Sequence, residues 1–265
     1  MRSVMRFALP RSLWTAVLAA GGLGLACTAG PIDVATLSSG GLTSGLVGHW
    51  KLDEDAGLFA NDTSGNGRTG TISGPTWAWI PGRFGSALHF AGNDQVTVPG
   101  LPQATDSYSV SAWVYIASSE ATGSSSSIAN VLNTEIPGGG WALYAALYPA
   151  GYAGYAFRFW VGPPQDYDIS PPAPCNCIVL DAWVHLGAVL DATSSTLSLY
   201  VNGTLEPTAT TTAGISPGAT TLDIARSQAP GFMMMGALDD IAIYDRALVP
   251  EEIAQLAQAP APDPQ

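Results

Sequence analysis

The strongest constraint on this chain is a series of short apolar or alternating segments between Leu46 and Tyr244, separated by clusters of Gly, Pro, Asn, Asp and Ser. Segments of this length between turn-forming residues are typical of β-strands, and a regular succession of them is typical of a β-sandwich. Helical periodicity is nearly absent from the same region. The sequence therefore predicts one all-β domain.

Two of the segments alternate with a period of two, which places one set of side chains on one face of a sheet. These sets are Val110, Ala112, Val114 and Ile116, and Leu197, Leu199 and Val201. The second segment runs into Asn202-Gly203, a pair that favours a type I′ hairpin turn. The predicted strands are Leu46–Leu52, Ser86–Phe90, Gln95–Val98, Tyr108–Ile116, Trp141–Leu147, Tyr155–Val161, Trp183–Leu190, Thr196–Val201, Thr220–Ala225 and Gly236–Tyr244. A short helix is predicted from Pro250 to Gln258, because proline suits the first helical position.

Composition narrows the class of protein. Of the 265 residues, 47% are hydrophobic and 11% are charged, which excludes a disordered acidic chain and a coiled coil. There are 21 acidic residues and 9 basic ones. Because binding to phosphates needs clustered Lys and Arg, we expect no nucleic-acid partner.

Residues 1–27 have the pattern of an export signal, with three arginines followed by an uncharged apolar stretch. The stretch ends at Cys27 and resembles a bacterial lipobox, which implies lipidation of this cysteine. Gly24 departs from that motif, so ordinary cleavage a few residues later is the alternative. We expect residues 28–45 to form a flexible tether, and the protein to be exported, either lipid-anchored at the cell envelope or secreted. Contact with a membrane is expected only through the lipid.

Cys175 and Cys177 are the two remaining cysteines, and in an exported protein an even pair favours a disulfide. A bridge across one residue would stiffen a loop rather than hold the fold together. A metal site would need more ligands, and redox pairs usually have two intervening residues. Both alternatives remain open.

Six motifs occur in an order that resembles the laminin-G-like jelly-roll family of the concanavalin A-like lectin and glucanase superfamily. They are Leu46–Glu54, Asp62–Gly67, Gly82–Leu88, Ser109–Val114, Trp183–Leu186 together with Leu199–Gly203, and Leu238–Leu248. The resemblance covers residues 46–257. It implies a two-sheet antiparallel jelly roll, and we assign residues 46–258 to this domain. We expect residues 259–265 to form a disordered tail, because their prolines cannot continue a helix.

The same resemblance implies a structural calcium ion where the first loop meets the last strand. The matching positions are Asp62, Asn66 and Asp239, and Ca²⁺ favours such oxygen ligands. Asp53, Glu54, Asp55 and Asp240 lie nearby in sequence. The alternative is that Asp62–Gly67 is only a tight turn, because Asp, Asn and Gly reverse a chain without a metal.

The sequence gives no sign of a catalytic site. The superfamily's glucanases carry Glu-x-Asp-x-Glu or Glu-x-Asp-x-x-Glu on one strand, and neither string is present. His49, His89 and His185 lie in predicted strands beside apolar residues, as hydrogen-bonded structural histidines do. We therefore expect no catalytic residues.

Aromatic residues are concentrated between Gly138 and Tyr167. Those on predicted strands, such as Trp141, are expected in the core, whereas Tyr148, Tyr152 and Tyr167 lie among Pro, Gly and Asp and are expected at the surface. Exposed aromatics can stack on sugar rings or anchor a protein partner. The sequence thus predicts a non-catalytic binding module for a glycan or a surface protein, stabilised by calcium. The alternative is a glycoside hydrolase or polysaccharide lyase whose active site the motifs do not reveal.

Overall fold

A computed structural model describes residues 41–104, 106–120, 127–136, 139–147, 155–161, 179–210, 217–226 and 234–261. The chain divides into two compact units, residues 1–37 and 38–265, and all described residues belong to the second. Among them, no helix is long and apolar enough to cross a membrane.

Fifteen strands and one short helix make up the described fold. The strands are β1 (Leu46–Trp50), β2 (Phe59–Ala60), β3 (Gly70–Ser73), β4 (Ala78–Pro81), β5 (Ser86–Ala91), β6 (Gln95–Pro99), β7 (Tyr108–Tyr115), β8 (Ser127–Asn133), β9 (Trp141–Leu147), β10 (Tyr155–Val161), β11 (Trp183–Asp191), β12 (Thr196–Val201), β13 (Thr204–Thr210), β14 (Thr221–Ile224) and β15 (Met235–Tyr244). The helix is α1 (Pro250–Leu256).

The strands form two antiparallel sheets. The eight-stranded sheet has the order β13-β12-β11-β7-β15-β5-β4, with β1 also paired to β15. The seven-stranded sheet has the order β10-β9-β8-β14-β6-β3-β2. Hairpins of consecutive strands alternate in both sheets with pairs that are distant in sequence, such as β7 with β15 and β6 with β14, as in a jelly roll, so the predicted fold class is confirmed.

The main core lies between the inner faces of the sheets. Val110, Ala112, Val114 and Ile116 of the first alternating set and Leu197, Leu199 and Val201 of the second all belong to it. Trp141 is also there, with its ring centroid 5.4 Å from that of Tyr108. The period of two therefore predicted which side chains of these strands face inward.

A second apolar cluster covers the outward face of the eight-stranded sheet. Ile253 and Leu256 of α1 pack there with Tyr200 and Tyr244. The β12–β13 hairpin turns at Asn202 and Gly203, both with positive φ, as the sequence predicted. A Cβ atom on Gly203 would lie 3.2 Å from the Cα of Ala254, so this turn also lets the helix approach the sheet.

Five strands were missing from the sequence prediction: β2, β3, β4, β8 and β13. β2 has two residues and β4 lies at a sheet edge with no fully buried residue, so neither has a marked apolar pattern. β3 begins with Gly and Thr, β13 contains three Thr with Glu and Pro, and β8 includes two asparagines. Pairing with neighbouring strands, rather than local propensity, decides these segments.

Candidate functional site

The outward face of the seven-stranded sheet is polar. In β6 and β14, Val96, Val98, Leu222 and Ile224 are fully buried in the main core. The alternate residues point to the other face and are half-buried: Gln95, Thr97, Thr221 and Asp223. This face is therefore open to solvent but built on an ordered sheet.

The strand register extends the polar face across β8 and β9. Asn133 lies opposite both Asp223 of β14 and Ala142 of β9. Asn130 lies opposite Tyr144, and a bulge between Asn130 and Leu132 keeps both asparagines on this face. We refer to Asn130, Asn133, Glu135, Tyr144 and Asp223 as the outer-face cluster.

Two neighbours orient the carboxylate of Glu135 in this cluster. Asn133 Nδ2 donates to Glu135 Oε2 at 2.9 Å, and the Tyr144 hydroxyl donates to Glu135 Oε1 at 2.7 Å. Asn133 Oδ1 in turn accepts the backbone N–H of Glu135 at 2.5 Å. Hydrogen bonds of this kind hold a side chain in one geometry before any ligand arrives.

Asp223 is the second carboxylate of the cluster. Partial burial raises its pKa, while the Thr97 hydroxyl, 3.4 Å away, and the charge of Arg226 oppose the rise. Asp223 lies opposite Asn133, where directly paired residues have Cβ atoms about 5 Å apart, and Glu135 is bonded to the Asn133 amide. The face thus presents two acids and an aromatic ring close together.

Asn130 is the most confined member of the cluster. Its side chain is fully buried, yet neither its amide oxygen nor its amide nitrogen has a hydrogen-bond partner. Buried amides are nearly always paired, because leaving one unpaired costs roughly 1–3 kcal/mol. An unpaired amide beneath a polar face is typical of a place where a further molecule binds.

The polar face also ends in an aromatic residue at its far side. Phe59 of β2 is 56% exposed and pairs with Thr71 of β3. Five strand spacings separate β2 from β9, which is about 24 Å at the usual distance between strands. Phe59 and Tyr144 therefore bracket a surface long enough for an extended ligand.

Two consecutive acids project from the opposite sheet. In β15, Leu238 and Ile241 both belong to the main core, although they are three residues apart. A bulge between Asp239 and Ala242, with Asp240 at φ 46°, places both Asp239 and Asp240 on the outward side.

Asp240 is joined to the first loop through His49. His49 Nε2 is 2.7 Å from Asp240 Oδ1, and His49 Nδ1 is 2.8 Å from the Thr63 hydroxyl. The other oxygen of Asp240 accepts the backbone N–H of Ala261 at 3.1 Å. A chain of hydrogen bonds thus connects the first loop, the last strand and the segment after α1.

Asp62 and Asn66, two of the predicted calcium ligands, are occupied in tying the loop to β1. Asp62 accepts the backbone N–H groups of His49, Ser64 and Arg68, which fills three of the four lone-pair sites of a carboxylate. Asn66 Nδ2 donates to the carbonyls of β1 at 2.9 and 3.0 Å. This hydrogen bonding is what a tight turn requires, and it uses both side chains to hold the loop.

Asp239, the third predicted ligand, fits a cation better. Its Oδ2 accepts the backbone N–H of Phe84 at 2.9 Å, and its Oδ1 is buried without a partner. Burial raises the pKa of Asp239 to about 7, with further contributions from Asp240 and Asp53. Asp53, in the segment after β1, contacts the hairpin of β4 and β5 that also contains Phe84: its Oδ1 accepts the N–H of Ser86 at 2.7 Å.

Within the described ranges, no group of three or more His, Cys, Asp or Glu side chains is arranged to hold a metal ion. Several predicted site residues lie outside those ranges: Cys27, Cys175, Cys177, Tyr148, Tyr152 and Tyr167.

Of the outer-face cluster, only Tyr144 lies in the aromatic stretch from Gly138 to Tyr167 that the sequence analysis identified, and the other members were not predicted. The alternation of Thr221-Leu222-Asp223-Ile224 was a usable signal, because it places Asp223 outward on a buried strand. The pairing of this strand with Asn133, ninety residues earlier in the chain, has no signal in a single sequence.

Comparison with known proteins identifies a family for this chain. A family model described as the concanavalin A-like lectin/glucanases superfamily matches residues 90–254. A search among curated proteins found no match.

Solved structures share the fold. Domain 4 of AbnA, a GH43 extracellular arabinanase from Geobacillus stearothermophilus solved in complex with arabinotriose, has a TM-score of 0.62 at 25% identity, over 81% of this chain and 99% of that domain. The ligand binding domain of botulinum neurotoxin serotype D, solved with N-acetylneuraminic acid, has a TM-score of 0.62 at 13% identity, over 83% of this chain and 52% of that one. The binding domain of Paraclostridial Mosquitocidal Protein 1 has a TM-score of 0.61 at 17% identity, over 82% of this chain and 52% of that one. The chain spans about half of the two toxin domains, and the likeness to them shows the fold alone.

Proposed function

The chain belongs to the concanavalin A-like lectin/glucanase superfamily, and from this membership we propose that it is a carbohydrate-binding module that uses the outward face of its seven-stranded sheet. The match to a complete arabinanase domain solved with arabinotriose supports a glycan ligand. The two toxin binding domains have the same fold and also serve as binding domains.

The outer-face cluster is the observation on which the proposal depends. Sugar hydroxyls pair with carboxylates and amides, and the faces of sugar rings stack on aromatic side chains. Glu135 and Asp223 supply the polar groups, Tyr144 supplies a half-buried ring, and the buried Asn133 holds Glu135 in place. Because Glu135 is already oriented, little entropy is lost when a ligand binds it.

A pair of tyrosine variants tests the location of the site. Tyr144→Ala removes the ring and the hydroxyl that orients Glu135, so we expect about tenfold weaker binding of arabino-oligosaccharides or of the best glycan from an array. Tyr115→Ala is the matched control, since Tyr115 lies in the eight-stranded sheet against Trp183. If both variants bind the glycan with equal affinity, the site lies elsewhere on the protein. If no glycan binds but a surface protein is crosslinked, the ligand is a protein instead.

The carboxylate pair favours a second candidate function, glycoside hydrolysis. Glycoside hydrolases use paired acids: one protonates the leaving oxygen while the other takes a proton from the attacking water. Partial burial of Asp223 suits the acid and the hydrogen-bonded Glu135 suits the base. Release of reducing ends that Glu135→Gln and Asp223→Asn both abolish would support an enzyme. Glycan binding without release of reducing ends would support a binding module instead.

Calcium remains a proposal, and the residue that supports it is Asp239. The unpartnered Asp239 Oδ1 and the nearby Asp53 carboxylate would supply hard oxygen ligands. An ion there would relieve the repulsion between buried acids and join β15 to the β4–β5 hairpin. At a calcium concentration 100 times the dissociation constant, the gain in stability would be about 2.7 kcal/mol.

Thermal unfolding tests the calcium proposal. We expect the Tm to fall with a chelator and to recover with added calcium in the parent chain. Asp239→Asn should remove this response, whereas Asp62→Asn should retain it even if its loop loosens. If neither the chelator nor calcium changes the Tm of the parent chain, the proposal is contradicted.

Export and anchoring are also proposals, supported by the pattern of residues 1–27. The module would then meet its glycan outside the cytoplasm, held at the envelope by lipid on Cys27 or released after cleavage. Metabolic labelling with a fatty-acid analogue, compared between the parent and Cys27→Ser, distinguishes these two fates. Mass analysis after thiol alkylation would show whether Cys175 and Cys177 are bonded.

A further inference from the structure

A cavity of about 230 Å³ opens at the end of the sandwich where β7 begins and β15 ends. It is separate from the outer-face cluster, which lies on the outward face of the other sheet. The lining residues are Pro102, Gln103, Ala104, Asp106, Ser107, Tyr108 and Asp245. We call it the end cavity.

The end cavity contains two carboxylates. Asp245 follows β15 directly, and its side chain lies against Gly45, where an added Cβ would be 2.7 Å from Asp245 Oδ1. Asp106 Oδ1 accepts the backbone N–H of Ser107 at 2.8 Å. Within the described part of the chain, neither acid forms an ion pair with Arg, Lys or His. Two acids in one concavity attract a cation, while the charges of Arg68 and Arg246, which act on Tyr108 and Asp245, oppose this attraction.

The other polar groups of the cavity also favour a ligand that donates hydrogen bonds. Gln103 Nε2 donates to the carbonyl of Gly218 at 2.7 Å, which leaves the amide oxygen of Gln103 as the available acceptor. Ser107 Oγ accepts the N–H of Ala192 at 3.0 Å. The groups that remain for a ligand are therefore mainly acceptors.

Tyr108 supplies a second observation, a buried hydroxyl without a partner on a residue that lines the cavity. Its side chain is 2% exposed and lines the cavity, but its hydroxyl has no hydrogen-bond partner. Burial raises the pKa of this hydroxyl, so it stays protonated. A buried hydroxyl without a partner is costly unless water or a ligand supplies one.

The other lining residues suit an organic ligand better than a bare metal ion. Pro102, Ala104 and Tyr108 present carbon atoms, whereas calcium favours six to eight oxygen ligands. Carbon walls suit an organic skeleton, and an aromatic ring can attract an ammonium group through its face. The volume is below the range of drug-sized pockets, so the ligand is small.

We propose that the end cavity binds a small organic ammonium ion, with the ammonium group held by Asp106 and Asp245 and the carbon skeleton held by Pro102, Ala104 and Tyr108. An amino sugar with a free amine and a lysine side chain share this chemistry. The site is distinct from the proposed glycan face, so either can fail without the other.

Calorimetric titration of the full chain with glucosamine tests the proposal, with glucose and N-acetylglucosamine as uncharged analogues. We expect glucosamine to bind and both analogues to bind at least tenfold more weakly, since each loses the charge-assisted hydrogen bonds. N-α-acetyl-lysine tests the other source of the ammonium group. A preference for one of the two amines identifies the source.

Two variants assign the binding to the end cavity. Asp245→Asn should weaken glucosamine binding about tenfold, and Tyr108→Phe should weaken it several-fold while leaving the fold intact, because the deleted hydroxyl has no partner. Glu251→Gln removes an exposed carboxylate from α1 and should leave binding unchanged. Absence of binding by both amines, or equal affinity for glucosamine and glucose, would overturn the proposal. Equal loss in Glu251→Gln would reduce the effect to net charge and would also overturn it.

Discussion

His185 shows how a single residue in this fold departs from its behaviour in water. Its ring is fully buried on β11, with Nε2 2.8 Å from the Ser111 hydroxyl, while Nδ1 has no partner. Burial lowers the pKa of His185 to about 3. As the sequence suggested for the histidines, it is a structural, hydrogen-bonded residue.

The buried histidine predicts a pH dependence of stability. The unfolded chain protonates this residue near pH 6.5, whereas the folded chain does so only near pH 3, so the unfolded state binds more protons between these values. Acidification from pH 7 to pH 5 should therefore lower the free energy of unfolding by about 2 kcal/mol through His185. Urea unfolding at both pH values measures it.

His185→Gln is the matching variant, because an amide can still bond Ser111 but does not titrate. Its free energy of unfolding should fall less than that of the parent over the same pH interval. An identical fall in both proteins would mean that other groups cause the dependence.

At the scale of elements, Glu252 in the first turn of α1 bonds the helix to the residues that precede it. Glu252 Oε2 accepts the backbone N–H of Val249 at 3.0 Å. Both of its oxygens also accept from the Arg246 guanidinium at 2.7 Å. The pKa of Glu252 is lowered by these bonds against the opposing effect of burial.

The neighbouring acid provides a control for this attachment. Glu252→Gln should lower the free energy of unfolding by about 1–2 kcal/mol, because a bidentate, partly buried ion pair is lost. Glu251→Gln changes an exposed residue of the same turn and should have an effect within about 0.5 kcal/mol. Chemical denaturation compares them, and equal effects would contradict a specific role for Glu252.

At the scale of the whole molecule, His49 joins parts of the chain that are far apart in sequence. The pair with Asp240 spans 191 positions and is nearly inaccessible to solvent. With Thr63 and Ala261 it connects β1, the first loop, β15 and the segment after α1. The family resemblance implied a calcium ion that joins the first loop to the last strand, and these hydrogen bonds also join them.

A comparison of two histidine pairs tests the importance of this connection. His49→Ala should cost about 3–5 kcal/mol of stability, because it leaves the carboxylate of Asp240 buried without its partner. His89→Ala breaks a pair of similar length, His89 to Glu120 at 2.6 Å, but both side chains are partly exposed. We expect a cost of about 1 kcal/mol or less there. Similar Tm changes would show that burial does not matter.

The candidate sites were predicted only in part. Asp239 was identified from its motif, but the bulge that turns both Asp239 and Asp240 outward is an irregularity of strand pairing. Asp62 and Asn66 were identified from the same resemblance, and their side chains are committed to backbone groups of β1. Residue type indicates which ligands are available, whereas hydrogen bonding decides which of them are free.

The sequence by itself determined the strands with marked alternation, the faces they bury, the Asn202-Gly203 turn and the short helix. These are local properties, set by a period of two or by the conformational preferences of a few adjacent residues. Only the tertiary structure decided that Asp223 lies opposite Asn133, that Glu135 is held by Tyr144, and that Asp106 and Asp245 share a cavity. In a jelly roll, neighbouring strands come from distant parts of the chain, so the position of each polar group depends on long-range pairing that no local pattern specifies.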